Sequence, residues 1–144
     1  MIIGVDVGYT YTKTATKEGT DIFRSTVREG SLDINKSIIL EYQGKEYTIG
    51  EKGSYSVDLN KIQDETFQLC LYTAIAKAMQ HNSDNINLVT GLPVAYYSKQ
   101  KQILRDSLEG REIYAKLNGR HRVFRINHCL IFPQSAGLFT LYPE

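Results

Sequence analysis

Residues 64–80, DETFQLCLYTAIAKAMQ, stand between several short β-rich runs and the apolar segment INLVTGLP. Phe67, Cys70, Leu71, Ala74, Ile75, Ala78 and Met79 recur at helical spacing, which predicts a helix with one core-facing stripe. Asp64 suits its cap, and Glu65 suits the positive end of its dipole. INLVTGLP reads as a buried strand that ends at Gly-Leu-Pro, a punctuation no helix tolerates. Strand–helix–strand units placed after a meander favour an α/β sheet of mixed direction over a purely doubly wound one.

The flanking segments complete that outline. Met1 to Val7, Thr10 to Lys17 and Asp21 to Val27 are β-rich and joined by short turn sequences, so they are expected to form a three-strand antiparallel meander. Arg28 to Ser37 reads as a loop. SIILEY and KEYTIG, joined by Gln43-Gly44, read as a hairpin covering 37–50, a small insertion. Gly50 to Lys61 has little periodicity and reads as loop. After INLVTGLP, YYSKQKQILRDSLEG is predicted as a second helix ending at Gly110. EIYAKLNGRHRVFRI alternates on both sides of Asn118-Gly119, a type I′ hairpin signal. CLIFPQ reads as a strand running into a helix from about Ser135, which the chain end at Glu144 leaves little room to pack, as in a truncated chain.

Composition excludes several classes of function. With 144 residues, 42% hydrophobic and 23% charged, the chain is expected to be one globular domain. A net charge of +1 gives no global attraction to nucleic acid or membrane. Cys70 and Cys129 sit singly in apolar runs, without metal-ligand or disulfide spacing, and read as small buried hydrophobes in a reducing, cytoplasmic setting. The apolar start reaches Asp6 too soon for a signal peptide, and no run approaches the ~18 apolar residues of a membrane span.

The chemistry concentrates in GVDVGYTYTKTATK, residues 4–17. A carboxylate on an apolar strand is costly to bury unless it is paired or metal-bound, so Asp6 needs a reason. Gly8 permits a close approach that a side chain would block. The turn Gly8-Tyr9-Thr10-Tyr11 would present backbone N–H groups of the kind that cradle phosphate, Thr10 and Thr12 add hydroxyls, and Lys13 adds a compact positive charge. An acid for Mg²⁺, amides for phosphate and a lysine make a coherent nucleotide-phosphate site; a purely structural turn is the alternative.

The spacing Asp-x-Gly-x-x-x-x-Lys on an N-terminal hairpin resembles the first phosphate motif of the superfamily of actin, DnaK-type chaperones and sugar kinases. VDVGYTYTK is most similar to the ParM/StbA plasmid-segregation group of actin-like ATPases, as are VTGLPVAYYSKQKQILRDSL and LNGRHRVFRINHCLIFPQSAGLF further on. The resemblance spans nearly the whole chain but only the first half of a full-length member. It implies an RNase H-like first lobe, residues 1–144, with the second lobe absent. It implies that Asp6 binds the Mg²⁺ of a bound nucleotide, ATP or GTP. Gly8, Tyr9, Thr10 and Tyr11 would then offer amides to the phosphates, with Thr12 beside them and Lys13 in contact. Gln134 would orient the attacking water, whereas read alone it is a polar helix cap. The intact protein would hydrolyse nucleoside triphosphate, assemble into filaments, and engage plasmid DNA through an adaptor protein.

Thr10 stands where relatives often have Gly. A second Asp-x-Gly-x-Thr motif and a glycine-rich adenosine motif are absent, so the chain alone is expected to bind nucleotide weakly or not at all and to be inactive. Two other readings compete. Type III pantothenate kinases carry a similar Asp-x-Gly-Asn-Thr-x-x-Lys motif, but Tyr9 in place of Asn and the Thr-Gly-Leu-Pro segment argue against them. Lys99 to His128 holds eight Lys or Arg against three acids, including Arg120, Arg122 and Arg125 on one hairpin, as in a nucleic-acid-binding module. A solvated face, or a filament contact with an acidic neighbour, is the plainer account of those charges, and direct DNA binding is not expected.

Overall fold

The computed structural model describes residues 1–30, 37–51, 54–55 and 65–134. Their strands form one mixed sheet. β1 (Ile2–Val7), β2 (Tyr11–Thr16) and β3 (Gly19–Arg24) make the antiparallel meander. β4 (Thr26–Glu29) follows at once, then β5 (Ile38–Tyr42), β6 (Lys45–Ile49) and the short β7 (Ser54–Tyr55). Helix α1 (Glu65–Ala78) leads to β8 (Ser83–Pro93), and helix α2 (Val94–Leu108) leads to β9 (Glu112–Leu117) and β10 (Arg120–Gln134). The order across the sheet is β3-β2-β1-β8-β10-β9-β5-β6-β4-β7.

β1, β8 and β10 run parallel in the middle, so the helical connections that follow the meander bring three strand ends to one edge. Val5 and Val7 on β1 face the same side as Thr12 and Thr14 on β2, and this side is buried under α1. α1 packs on β1 and β2, α2 on β8 and β10, and both contribute to one core with Ile3, Leu88, Cys129 and Ile131. Burial pushes the Cys129 thiol up to about 11, which leaves it an inert hydrophobe at neutral pH. The opposite side of the central strands carries Gly4, Asp6, Lys13, Val89, Gly91, Leu130 and Phe132. No described helix is long and apolar enough to cross a membrane.

Both hairpin turns form as the sequence predicts. Gln43 and Gly44 take φ of 53° and 78°, and Asn118 and Gly119 take 49° and 83°. Asn118 also ties the hairpins together, accepting from the Ile39 N–H at 2.7 Å and donating to the Ser37 carbonyl at 3.2 Å. Other boundaries move. The expected third strand, Asp21–Val27, is two strands broken at Ser25, whose N–H donates to the Thr10 carbonyl at 2.8 Å while β4 departs to pair with β6 and β7. Arg28 and Glu29 belong to β4 rather than to a loop, and Ser54 and Tyr55 form β7.

CLIFPQ is not a separate strand. It continues β10 past an irregularity at Asn127, between Ile126 and His128, which resets the register against β8. β8 begins at Ser83, earlier than its apolar residues suggest, and α2 begins at Val94 directly after Pro93. The Asp64 cap and the helix expected from Ser135 lie outside the described residues.

Candidate functional site

Asp6 is the last outward-facing residue of β1, and Gln134 is the last residue of β10. Parallel pairing through β8 places both at the same sheet edge. There the Gln134 Nε2 donates to the Asp6 Oδ1 at 2.6 Å. Both side chains are partly buried. A short hydrogen bond to a carboxylate accounts for an acid on an otherwise apolar strand.

Lys13 lies directly opposite Asp6 in the β1–β2 ladder, so its exposed side chain leaves the same face of the sheet. The turn between these strands is tight. The Gly8 N–H donates to the Tyr11 carbonyl at 2.9 Å, and a β-carbon on Gly8 would sit 2.9 Å from that same oxygen. Glycine is therefore required sterically, and its amide is committed to closing the turn. Tyr9, Thr10 and Tyr11 are exposed at the turn. A cavity of about 710 Å³ borders Asp6 on this face, with Gly4, Ala15, Val89 and Gly91 among its walls.

Asp6, Lys13, Gln134 and the turn residues Gly8 to Tyr11 are thus brought together, whereas Thr12 is not. It points to the α1 side, is fully buried, and shares a 2.8 Å hydrogen bond with the Ser25 hydroxyl. Alternation along β2 dictates this, because Lys13 faces outward.

Two further residues, with no motif of their own to mark them, support this edge. Thr90 donates to the Val5 carbonyl at 2.8 Å and fastens β8 to β1 beneath the site. Gly91 lies against Gln134: an added β-carbon would come 2.7 Å from the Gln134 Cγ. Both belong to the Thr-Gly-Leu-Pro segment, whose punctuation was legible but whose contacts are made with distant strands, Thr90 with β1 and Gly91 with the end of β10.

Among the described residues no group of three or more His, Cys, Asp or Glu could hold a metal ion. The basic hairpin is also divided. Arg122 turns inward, its Nε donating to the Ala76 carbonyl at 3.1 Å and its Nη1 to the Asn82 Oδ1 at 3.0 Å. Arg125 faces the other side of β10, so the arginines do not make one basic face.

A meander followed by two helix–strand units, with an acid on the first strand tip and an amide on the last, defines an RNase H-like lobe of the actin type. The model of the N-terminal domain of actin-like proteins matches residues 4–137. The chain belongs to that family. No curated protein sequence matches it. Among solved structures it resembles the apo psk41 ParM protein, with 15% identity, a TM-score of 0.80, and coverage of 99% of this chain and 52% of that one. It also resembles a 15-stranded ParM filament from Clostridium botulinum, with 27% identity, a TM-score of 0.76, and coverage of 94% and 48%. A third is Ta0583, an archaeal actin homolog in complex with ADP, with 19% identity, a TM-score of 0.79, and coverage of 97% and 46%. The chain spans about half the length of these proteins.

Proposed function

We propose that this chain is the first lobe of a bacterial actin-like ATPase whose filaments serve plasmid segregation. The observation that carries the reading is the Asp6–Gln134 contact of 2.6 Å at the edge where the β1–β2 turn emerges. The family membership and the likeness to a ParM filament support it.

The residues suit a magnesium nucleotide. Mg²⁺ keeps most of its waters and needs only one or two carboxylates beside substrate phosphates, so Asp6 suffices as an anchor. The backbone of the glycine-tight turn at Tyr9, Thr10 and Tyr11 would hold the phosphates, and Lys13, opposite Asp6 in the ladder, would supply a point charge to them. Gly8 contributes its missing side chain rather than its amide. Bound Mg²⁺ would neutralise charge developing on the transferred phosphoryl group. Gln134 can donate to and accept from one water, which lets it orient the nucleophile from its place beside Asp6.

In the intact protein ATP, or GTP, would lie between this lobe and a second one. Filaments would grow on binding and weaken on hydrolysis, and an adaptor would link them to plasmid DNA in the cytoplasm. Light scattering of the full-length protein with each nucleotide and Mg²⁺ tests this. Nucleotide-dependent assembly that Asp6→Ala abolishes is expected; assembly indifferent to both nucleotide and Asp6 would overturn the reading. The 144-residue chain alone should bind ATP weakly or not at all, and micromolar affinity by calorimetry would contradict that.

A further inference from the structure

Gly91 is a buried strand residue in ordinary extended backbone, not one of the glycines with positive φ. Its conformation is open to any residue, and in a strand interior glycine is intrinsically the weaker choice. The explanation must be space. An added β-carbon would lie 2.7 Å from the Gln134 Cγ, 3.1 Å from the Phe132 carbonyl oxygen and 3.6 Å from the Gln134 Cδ. Phe132 is the β10 partner of Gly91, and Gln134 is two residues further along the same face. The Gln134 side chain therefore crosses the bare backbone of Gly91 on its way to Asp6.

We infer that Gly91 is the positioning residue for Gln134, its missing side chain being the slot that lets the Gln134 amide reach Asp6. The consequence for hydrolysis rests on the proposed role of Gln134 in orienting water; the positioning itself does not. A β-carbon at 91 can be accommodated by swinging Gln134 away, because the Cγ is the nearest atom and the Phe132 backbone is held in the sheet. Displacement of a water-orienting group by about 1 Å is enough to cost on the order of 100-fold in rate.

The side-chain amide resonances of Gln134 in the 144-residue chain report the geometry directly, and their disappearance in Gln134→Ala assigns them. They should shift in Asp6→Ala, and shift in the same direction in Gly91→Ala. Resonances unmoved by Gly91→Ala would overturn the inference. Denaturant unfolding gives an independent arm if Gly91→Ala folds poorly. The double variant Gly91→Ala/Gln134→Ala lacks the clashing Cγ, so it should recover at least about half of the lost midpoint, the non-additivity of contacting residues. A double variant no better than Gly91→Ala would mean that the Phe132 backbone is the obstacle, and would overturn the inference. In the full-length protein Gly91→Ala should lower kcat about as much as Gln134→Ala and leave nucleotide KM nearly unchanged. Hydrolysis unaffected by Gln134→Ala would sink the water-orienting role alone, with the resonance and unfolding arms still deciding the positioning.

Discussion

Gln134 donates to Asp6 across 2.6 Å, joining residues 128 positions apart in sequence at one sheet edge. Gln134→Glu replaces that donor with a second carboxylate. Two acids at such distance cannot both ionise freely, so one pKa must rise in the folded state. A raised carboxylate pKa favours folding only when the proton is present. The variant should therefore be less stable than the parent at pH 7, by about 1 kcal/mol or ~4 °C in midpoint. The deficit should shrink as pH falls toward about 4, where model carboxylates protonate. Thermal unfolding of both proteins across that range checks it; a deficit independent of pH would contradict the contact.

Thr12 and Ser25 share a buried 2.8 Å hydrogen bond on the side facing α1. Thr12→Val keeps the shape and leaves the Ser25 hydroxyl without that partner, a loss of about 1–2 kcal/mol. Adding Ser25→Ala removes the orphan, so the double variant should be less destabilised than the two losses added. Nucleotide affinity of the full-length protein, measured where all variants remain folded, should not follow Thr12. An affinity loss specific to Thr12→Val would give its hydroxyl a phosphate contact.

The contrast between Thr12 and Lys13 shows what was legible in the sequence and what was not. Periodicity placed α1 and the two hairpins well, because each rests on local pattern or on Gly and Asn at positive φ. The Asp-x-Gly-x-x-x-x-Lys spacing singled out the β1–β2 turn, and alternation puts Thr12 on the side of the sheet opposite Lys13. Long-range pairing was beyond local pattern. The break at Ser25 exists because β4 finds β6 and β7, and the polar start of β8, Ser83 to Asn85, is strand only because β10 lies beside it. Gly91 is the same kind of case, since its reason for being glycine is a side chain from another strand.

Glu109 accepts the Cys129 N–H at 2.9 Å, just past the β10 irregularity, with the Arg105 Nε at 3.5 Å. The backbone hydrogen bond, helped by Arg105 and His128, holds its carboxyl below the ordinary 4.5. A depressed pKa contributes stability that is complete above the unfolded value and disappears as pH falls through the folded value. Glu109→Gln should therefore cost most near neutrality and progressively less below about pH 4.5. Denaturant midpoints of parent and variant should converge on acidification. Parallel curves would show that the charge at 109 is not what the Cys129 amide senses.

Arg122 closes the end of α1 from a neighbouring strand. Its guanidinium reaches the Ala76 carbonyl in the last turn, the Asn82 side chain and the His121 carbonyl. A cation at a helix C-terminus also opposes the negative end of the dipole. Arg122→Ala should cost about 1–3 kcal/mol, and Arg122→Lys should recover only part, because an ammonium cannot reproduce the planar fork. Arg120→Ala and Arg125→Ala, both exposed, should stay within about 0.5 kcal/mol. With Arg122 engaged internally, DNA affinity should be weak and its dependence on salt shallow. Titrating duplex DNA between low and physiological salt measures the slope. A steep slope, reduced by Arg120→Ala or Arg125→Ala, would instead make the hairpin a nucleic-acid contact.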